Sequence, residues 1–284
     1  MKNLKTRFKN NMPGHDWTRS FLKRHKLSLK KGGQMQLARK NVTSDPFVIY
    51  RFFETLNNEV ERLGINDKPE CVYNCAELGF PTDPSKCKYV DEIGKKCIQV
   101  TNGSNRENTT VLAVCCADGT SLDPLIIFRG KNLQSTWLGA DGLENTYFSV
   151  SGSGWMTTNI FDHWFRKFAE SVVARPLLLT FDGHMTHLST ATIDFAMEQN
   201  ISSIKLPAHC TDVLQPLDVG CFNPLKVDYE QYLTEFVHRT GGCQKLQKPA
   251  FCNLIGSIWK KGLTKENIIS ASNTTGIFPV DETE

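Results

Sequence analysis

Asp182 and Asp218 are the residues of this chain best placed to do chemistry. Leu177-Leu178-Leu179-Thr180-Phe181-Asp182-Gly183-His184 reads as a buried strand that delivers an acid at its exposed C-terminal end. Leu214-Gln215-Pro216-Leu217-Asp218 delivers a second. Carboxylates converging at strand ends suit hard divalent cations, which take oxygen ligands and keep waters free for reaction. Two such cations about 3.5 to 4 Å apart clamp the attacking and leaving oxygens of a phosphodiester displacement. An earlier strand, Cys71-Val72-Tyr73-Asn74-Cys75, ends in Ala76, which offers no ligand.

Each acid alone also has a plainer account. Asp182-Gly183 is a turn dipeptide, and Asp218 can favour a helix N-terminus. Asp182, His184 and His187 space three ligands as a zinc site would, but a preceding strand and Gly183 give no assured helical face for them. Ser/His/Asp hydrolysis is weaker still, because no glycine-flanked serine elbow occurs.

The elements that must position these acids follow from hydrophobic periodicity. Pro46 opens a helix whose Phe52, Phe53, Leu56, Val60 and Leu63 recur at helical spacing up to Gly64. Strands are expected at 70–76, 109–116 and 125–128, the last two joined across Asp118-Gly119. Phe161, Trp164, Phe165 and Phe168 form a core-facing helical stripe. After the Leu177 strand come a helix near 189–199, a short strand at 201–206, a helix following Asp218 and a final helix at roughly 251–261. This order describes an α/β fold, a mixed sheet flanked by helices, whose functional edge lies at strand C-termini.

With 284 residues and 40% hydrophobic composition, the chain can build one substantial core. No apolar run approaches the roughly 18 residues needed to span a bilayer, and the start lacks the apolar stretch of a secretory signal. An intracellular setting is expected. Of the ten cysteines none falls in a Cys-x-x-Cys pair, so they read as small buried hydrophobes.

Charge is unevenly distributed. Residues 1–33 hold ten Lys/Arg against one acid, a net +9; with +3 overall, the other 251 residues carry −6. Trp17 and Phe21 share one helical face while Arg19, Lys23, Arg24 and Lys26 decorate the rest, with Lys30 and Lys31 just beyond. A basic arm on a nearly neutral body suggests a polyanion partner, nucleic acid first.

Several segments resemble a family along almost the entire chain. Phe181-Asp182-Gly183-His184-Met185-Thr186-His187, the run from Leu206-Pro207-Ala208-His209 to Leu214-Gln215-Pro216-Leu217-Asp218-Val219-Gly220, and Thr274-Thr275-Gly276-Ile277-Phe278-Pro279 look like signatures of the pogo and Tigger group of DDE-superfamily transposases. That group includes jerky-like and centromere protein B-like proteins. Asn108-Thr109-Thr110-Val111-Leu112 through Gly130-Lys131 is similar to the family's central hairpin, and Gly154-Trp155-Met156-Thr157 to its following helix start. Gly14-His15-Asp16-Trp17 through Leu27-Ser28-Leu29-Lys30 is similar to the end of a centromere protein B type helix-turn-helix region.

The resemblance implies a ribonuclease H-like fold with a short basic helical N-terminal arm. It divides the chain into a DNA-binding remnant (1–33), a linker and packing helix (34–69) and an endonuclease domain (70–284). Asp182 and Asp218, separated by 35 residues, match the second and third metal-binding acids. The family's first-strand motif, Asn-x-Asp-Glu-x-Gly-Phe, is here Asn74-Cys75-Ala76-Glu77-Leu78-Gly79-Phe80, so the first aspartate maps onto Ala76. Glu77 matches the neighbouring glutamate and faces away unless a bulge intervenes, and Asn74 shares the face of Ala76 as a weaker ligand. Near the end, the family's usual Gly-Phe is Ala271-Ser272.

The resulting expectation is a transposase-derived nucleic-acid-binding protein with impaired cleavage. Magnesium or manganese is the implied cofactor, DNA the partner, a homodimer an allowed assembly and the nucleus the location. The alternatives are an active endonuclease with a rebuilt site and a protein-interaction scaffold.

Overall fold

The computed structural model describes residues 13–27, 46–81, 108–139, 143–182, 188–240 and 244–281. Lys30, Lys31, His184 and His187 lie outside them. The chain divides into two compact units, Met1–Leu37 and Ala38–Glu284.

In the first unit, helix α1 (His15–Arg24) places Asp16 in its first turn and Lys23 and Arg24 in its last, each charge complementing the helix dipole. Trp17 stacks on Phe21 with centroids 4.9 Å apart, and Phe21 meets His25 at 4.5 Å. Arg19, Lys23, Arg24 and Lys26 are exposed.

The second unit opens with α2 (Pro46–Leu63) and continues into β1 (Val72–Pro81), β2 (Asn108–Cys116), β3 (Leu125–Arg129) and β4 (Tyr147–Ser151). Helix α3 (Thr158–Ser171), β5 (Leu177–Phe181), α4 (Thr190–Glu198) and β6 (Ile201–Lys205) follow. After a short helix α5 (Thr211–Leu214) and a π-helical turn at Leu217–Cys221 come α6 (Phe222–Thr240), α7 (Lys248–Gly262) and α8 (Lys265–Thr274).

The six strands form one sheet in the order β4-β3-β2-β1-β5-β6. β1–β2 and β2–β3 are antiparallel, while β3–β4, β1–β5 and β5–β6 are parallel. This is the mixed sheet that the order of elements predicts, in the ribonuclease H-like arrangement that the resemblance implies. Its period-two alternation sorts the core. Ala76, Leu78, Phe80, Val111, Ala113, Ile126 and Phe128 pack against α6 and α7. Tyr73, Cys75, Leu112, Val114, Leu125 and Ile127 pack against α3 and α4 on the other face. Helix α2 covers a third cluster with Val72, Leu178 and Ile204.

One expectation needs correction. Ala76 does not end its strand: β1 keeps pairing with β2 through Pro81↔Asn108, because β2 offers a partner beyond the level where β5 stops at Phe181. Two elements also escape sequence reading. β4 is a half-exposed, serine-bearing strand, and α8 is a polar helix that follows the one expected to be last.

Candidate functional site

All five residues of β5 are buried, so the strand acts as a rigid rod that sets down Asp182, half-buried, at its end. Its parallel register with β1 pairs Asn74 with Thr180 and Cys75 with Phe181, which brings Asp182 alongside Ala76. Past Asp182 the described chain resumes at Leu188, and Ser189 fixes that return. Its hydroxyl caps α4 by accepting the Thr192 N–H, and donates to Asp162 of α3.

Asp218 is set by a different device. It sits half-buried in the π-helical turn, whose Leu217 and Cys221 are buried in the same core cluster as Ala76. Single π turns of this kind recur at functional sites. Gly220 lets that turn approach α8, since a Cβ there would lie 2.6 Å from Ala271 Cβ. Ala271 is thus a packing neighbour of the turn that carries Asp218.

Asn74 joins the two halves. Its side-chain nitrogen donates to Thr180 O at 3.2 Å and Oγ1 at 3.1 Å, and its Oδ1 accepts the Leu217 N–H at 3.3 Å. The Thr180 hydroxyl in turn donates to Tyr73 O. One buried amide therefore fixes the residues that precede both acids. With its oxygen committed to Leu217, Asn74 is a structural tie.

Gln215, 1% exposed, donates from Nε2 to Asp218 Oδ2 at 2.9 Å. Its Oε1 is buried with no hydrogen-bond partner. In the sequence Gln215 stands out only as part of the run that ends at Asp218.

Ala76 is 0% exposed and belongs to the same core cluster as Leu217 and Cys221. Glu77 occupies the other face, and the unbroken register of β1 with β2 contains no bulge to turn it around. Burial first, then the charge of Asp182, pushes the Glu77 carboxyl up to about 7. Burial, Asp182 and Glu77 likewise raise the Cys75 thiol well above its ordinary range. Asp182 and Glu77 are thus close enough to feel each other.

The Asp182 and Asp218 carboxylates and the unpaired Gln215 Oε1 are hard donors of the kind magnesium or manganese takes. In number they fall short of a two-cation centre. Among the described residues, no group of three His, Cys, Asp or Glu side chains is placed to hold a metal.

The profile of the DDE superfamily endonuclease family matches residues 106–271. Among curated proteins, the chain is 31% identical over 182 residues to "MFS-type transporter clz9" of Cochliobolus lunatus, covering 62% of this chain and 19% of that protein. It is 27% identical over 272 residues to "Pogo transposable element with KRAB domain" of Mus musculus, covering 89% of this chain and 42% of that protein. The chain therefore spans less than half the length of either relative. No helix of the described residues is long and apolar enough to cross a membrane. Among solved structures, the Mos1 mariner paired end complex with Mn is 11% identical with a TM-score of 0.47, covering 95% of this chain and 72% of that one.

Proposed function

Because this chain belongs to the DDE superfamily of endonucleases, we propose that it is a transposase-derived, nucleic-acid-binding protein whose phosphodiester chemistry is disabled at Ala76. The observation that carries this reading is the fully buried methyl of Ala76, which, like Asp182, comes one residue past the last β1–β5 pair and shares a core cluster with Leu217 and Cys221. In the proteins it resembles, that position holds a carboxylate.

Bound divalent cations supply charge stabilisation to both oxygens of a phosphodiester displacement. What this chain supplies is the scaffold for two of the acids. Asn74 fixes their backbones, and Gln215 holds one oxygen of Asp218. Without a third carboxylate, magnesium or manganese binds weakly, and losses of metal-site parts typically cost orders of magnitude in rate.

Contact with DNA is assigned to the basic arm. Arg19, Lys23, Arg24 and Lys26 lie exposed on and just after α1, and Lys30 and Lys31 continue the same charge in sequence. Placement in the nucleus and assembly as a homodimer belong to the same proposal. Duplex binding across a salt series tests it, with plasmid nicking in magnesium or manganese as companion. The reading requires a steep loss of affinity with salt and no nicking; absent affinity would favour a protein-interaction scaffold.

A second reading rests on Glu77. Its carboxyl feels Asp182, so an endonuclease site rebuilt from Glu77, Asp182 and Asp218 has a specific observation in its favour. The regular register of β1, which turns Glu77 away from the face of Ala76, weighs against it.

A further inference from the structure

At the corner of the sheet where β3 and β4 end, an aromatic ring stands in solvent on a rigid mount. Trp155 is 51% exposed, although the residues on either side of it, Gly154 and Met156, are buried. Its carbonyl accepts the Ser151 hydroxyl at 2.7 Å, and the Gly154 carbonyl accepts the buried Thr110 hydroxyl at 2.8 Å. Gly154 has φ +78, and a Cβ there would come within 2.5 Å of Asn108 O, so the backbone turns in space that only glycine fits. A large apolar side chain held out of the core by so many backbone ties is not a loose loop residue.

A cationic side chain starts beside this turn. That same Gly154 Cβ position lies 3.3 Å from Arg129 Cβ, and Arg129 pairs in register with Ser151, so its exposed side chain leaves the sheet beside the Trp155 turn. Lys131 follows, also exposed, and neither residue makes an ion pair among the described residues.

The corner lies at the same end of the sheet as Asp182. Along β1, the level of Arg129 is that of Pro81 and Asn108, five residues beyond Ala76, and it is two strands across. At strand spacings this is about 20 Å from the acidic position, the reach of a few nucleotides of single strand.

We propose that Trp155, with Arg129 and Lys131, is a stacking platform for an unpaired nucleobase and its phosphate, separate from the basic arm. This rests on the nucleic-acid-binding reading above, and it names single-stranded nucleic acid as the ligand of the catalytic body. An indole face accepts any base, and guanidinium and ammonium groups beside it track the backbone.

The test uses the full chain and a short fluorescein-labelled oligothymidylate, with a blunt duplex for comparison, read by fluorescence anisotropy. Trp155→Ala is expected to weaken oligothymidylate binding about tenfold and leave duplex binding unchanged, while Trp155→Phe keeps most of the affinity. Arg129→Ala is expected to flatten the salt dependence for the single strand. Equal oligothymidylate affinity in wild type and Trp155→Ala overturns the platform alone. A wild type that binds neither probe overturns the platform together with the reading beneath it. A Trp155→Ala protein with unchanged affinity but an altered sedimentation coefficient makes the ring a protein contact instead.

Discussion

The Oδ1 of Asn74 accepts the backbone N–H of Leu217 at 3.3 Å, across 143 residues of sequence. Through the same amide Asn74 holds Thr180, so the strand carrying Asp182 and the turn carrying Asp218 share one buried anchor. Ala76 lies two residues along the same strand from this anchor.

Asn74→Ala removes three buried hydrogen bonds and strands the Leu217 N–H. A loss of about 2 to 3 kcal/mol in unfolding free energy is expected, read by urea denaturation with an unchanged slope. A loss below about 0.5 kcal/mol would show that Leu217 and Thr180 find other partners.

Glu77 makes stability depend on pH. Its folded-state value of about 7 stands above the ordinary 4.5, raised by burial and then by Asp182, so the folded chain keeps a proton that the unfolded chain has released. Its contribution therefore turns unfavourable as pH rises from about 4.5 to 7, and the full penalty applies above 7. Glu77→Gln is expected to be more stable than wild type at pH 8 by up to about 3 kcal/mol, and nearly equal to it at pH 4.5. Thermal melts at the two pH values check this; a constant difference between the proteins at both would contradict it.

Removing residues 1–37, a compact unit of its own, takes away the cations on and around α1. Duplex affinity at low salt is expected to fall at least tenfold, with a shallower dependence on salt. Unchanged duplex binding would move that contact onto the body of the protein.

Ala76→Asp puts a carboxylate into fully buried space within the core cluster that holds Leu217 and Cys221. The substitution is expected to lower the melting temperature, by desolvation and crowding. Manganese should restore part of that loss in Ala76→Asp and not in wild type, because only the variant gains a third acid to bind it. Metal-dependent nicking of nonspecific DNA should appear with it and vanish when Asp182→Asn is added. Equal melting shifts with manganese in both proteins would mean that position 76 does not face the cation site.

The strands and helices with strong periodicity were legible in the sequence, as was Asp182 at the end of β5. The true extent of β1 was not, because Glu77 and Gly79 interrupt the apolar run while Leu78 and Phe80 continue it on the buried face. β4 was hidden by its exposed tyrosine and two serines, and α8 by its mostly polar surface, with only Ile268, Ala271 and Ser272 buried. The tie from Asn74 to Leu217 had no local signal. Bonds between residues so distant appear only when the sheet is assembled. Gln215 was visible only as part of a motif, and its grip on Asp218 needed the turn geometry.

The central claim, that the replacement at Ala76 disables cleavage, is tested most directly by nicking of supercoiled plasmid. The unmodified protein is assayed beside Asp182→Asn in magnesium and in manganese. The expected result is no nicking above the protein-free control by either protein in either metal. Robust nicking by the unmodified protein that Asp182→Asn abolishes would contradict the account, and would make Glu77 the first candidate for the missing third acid.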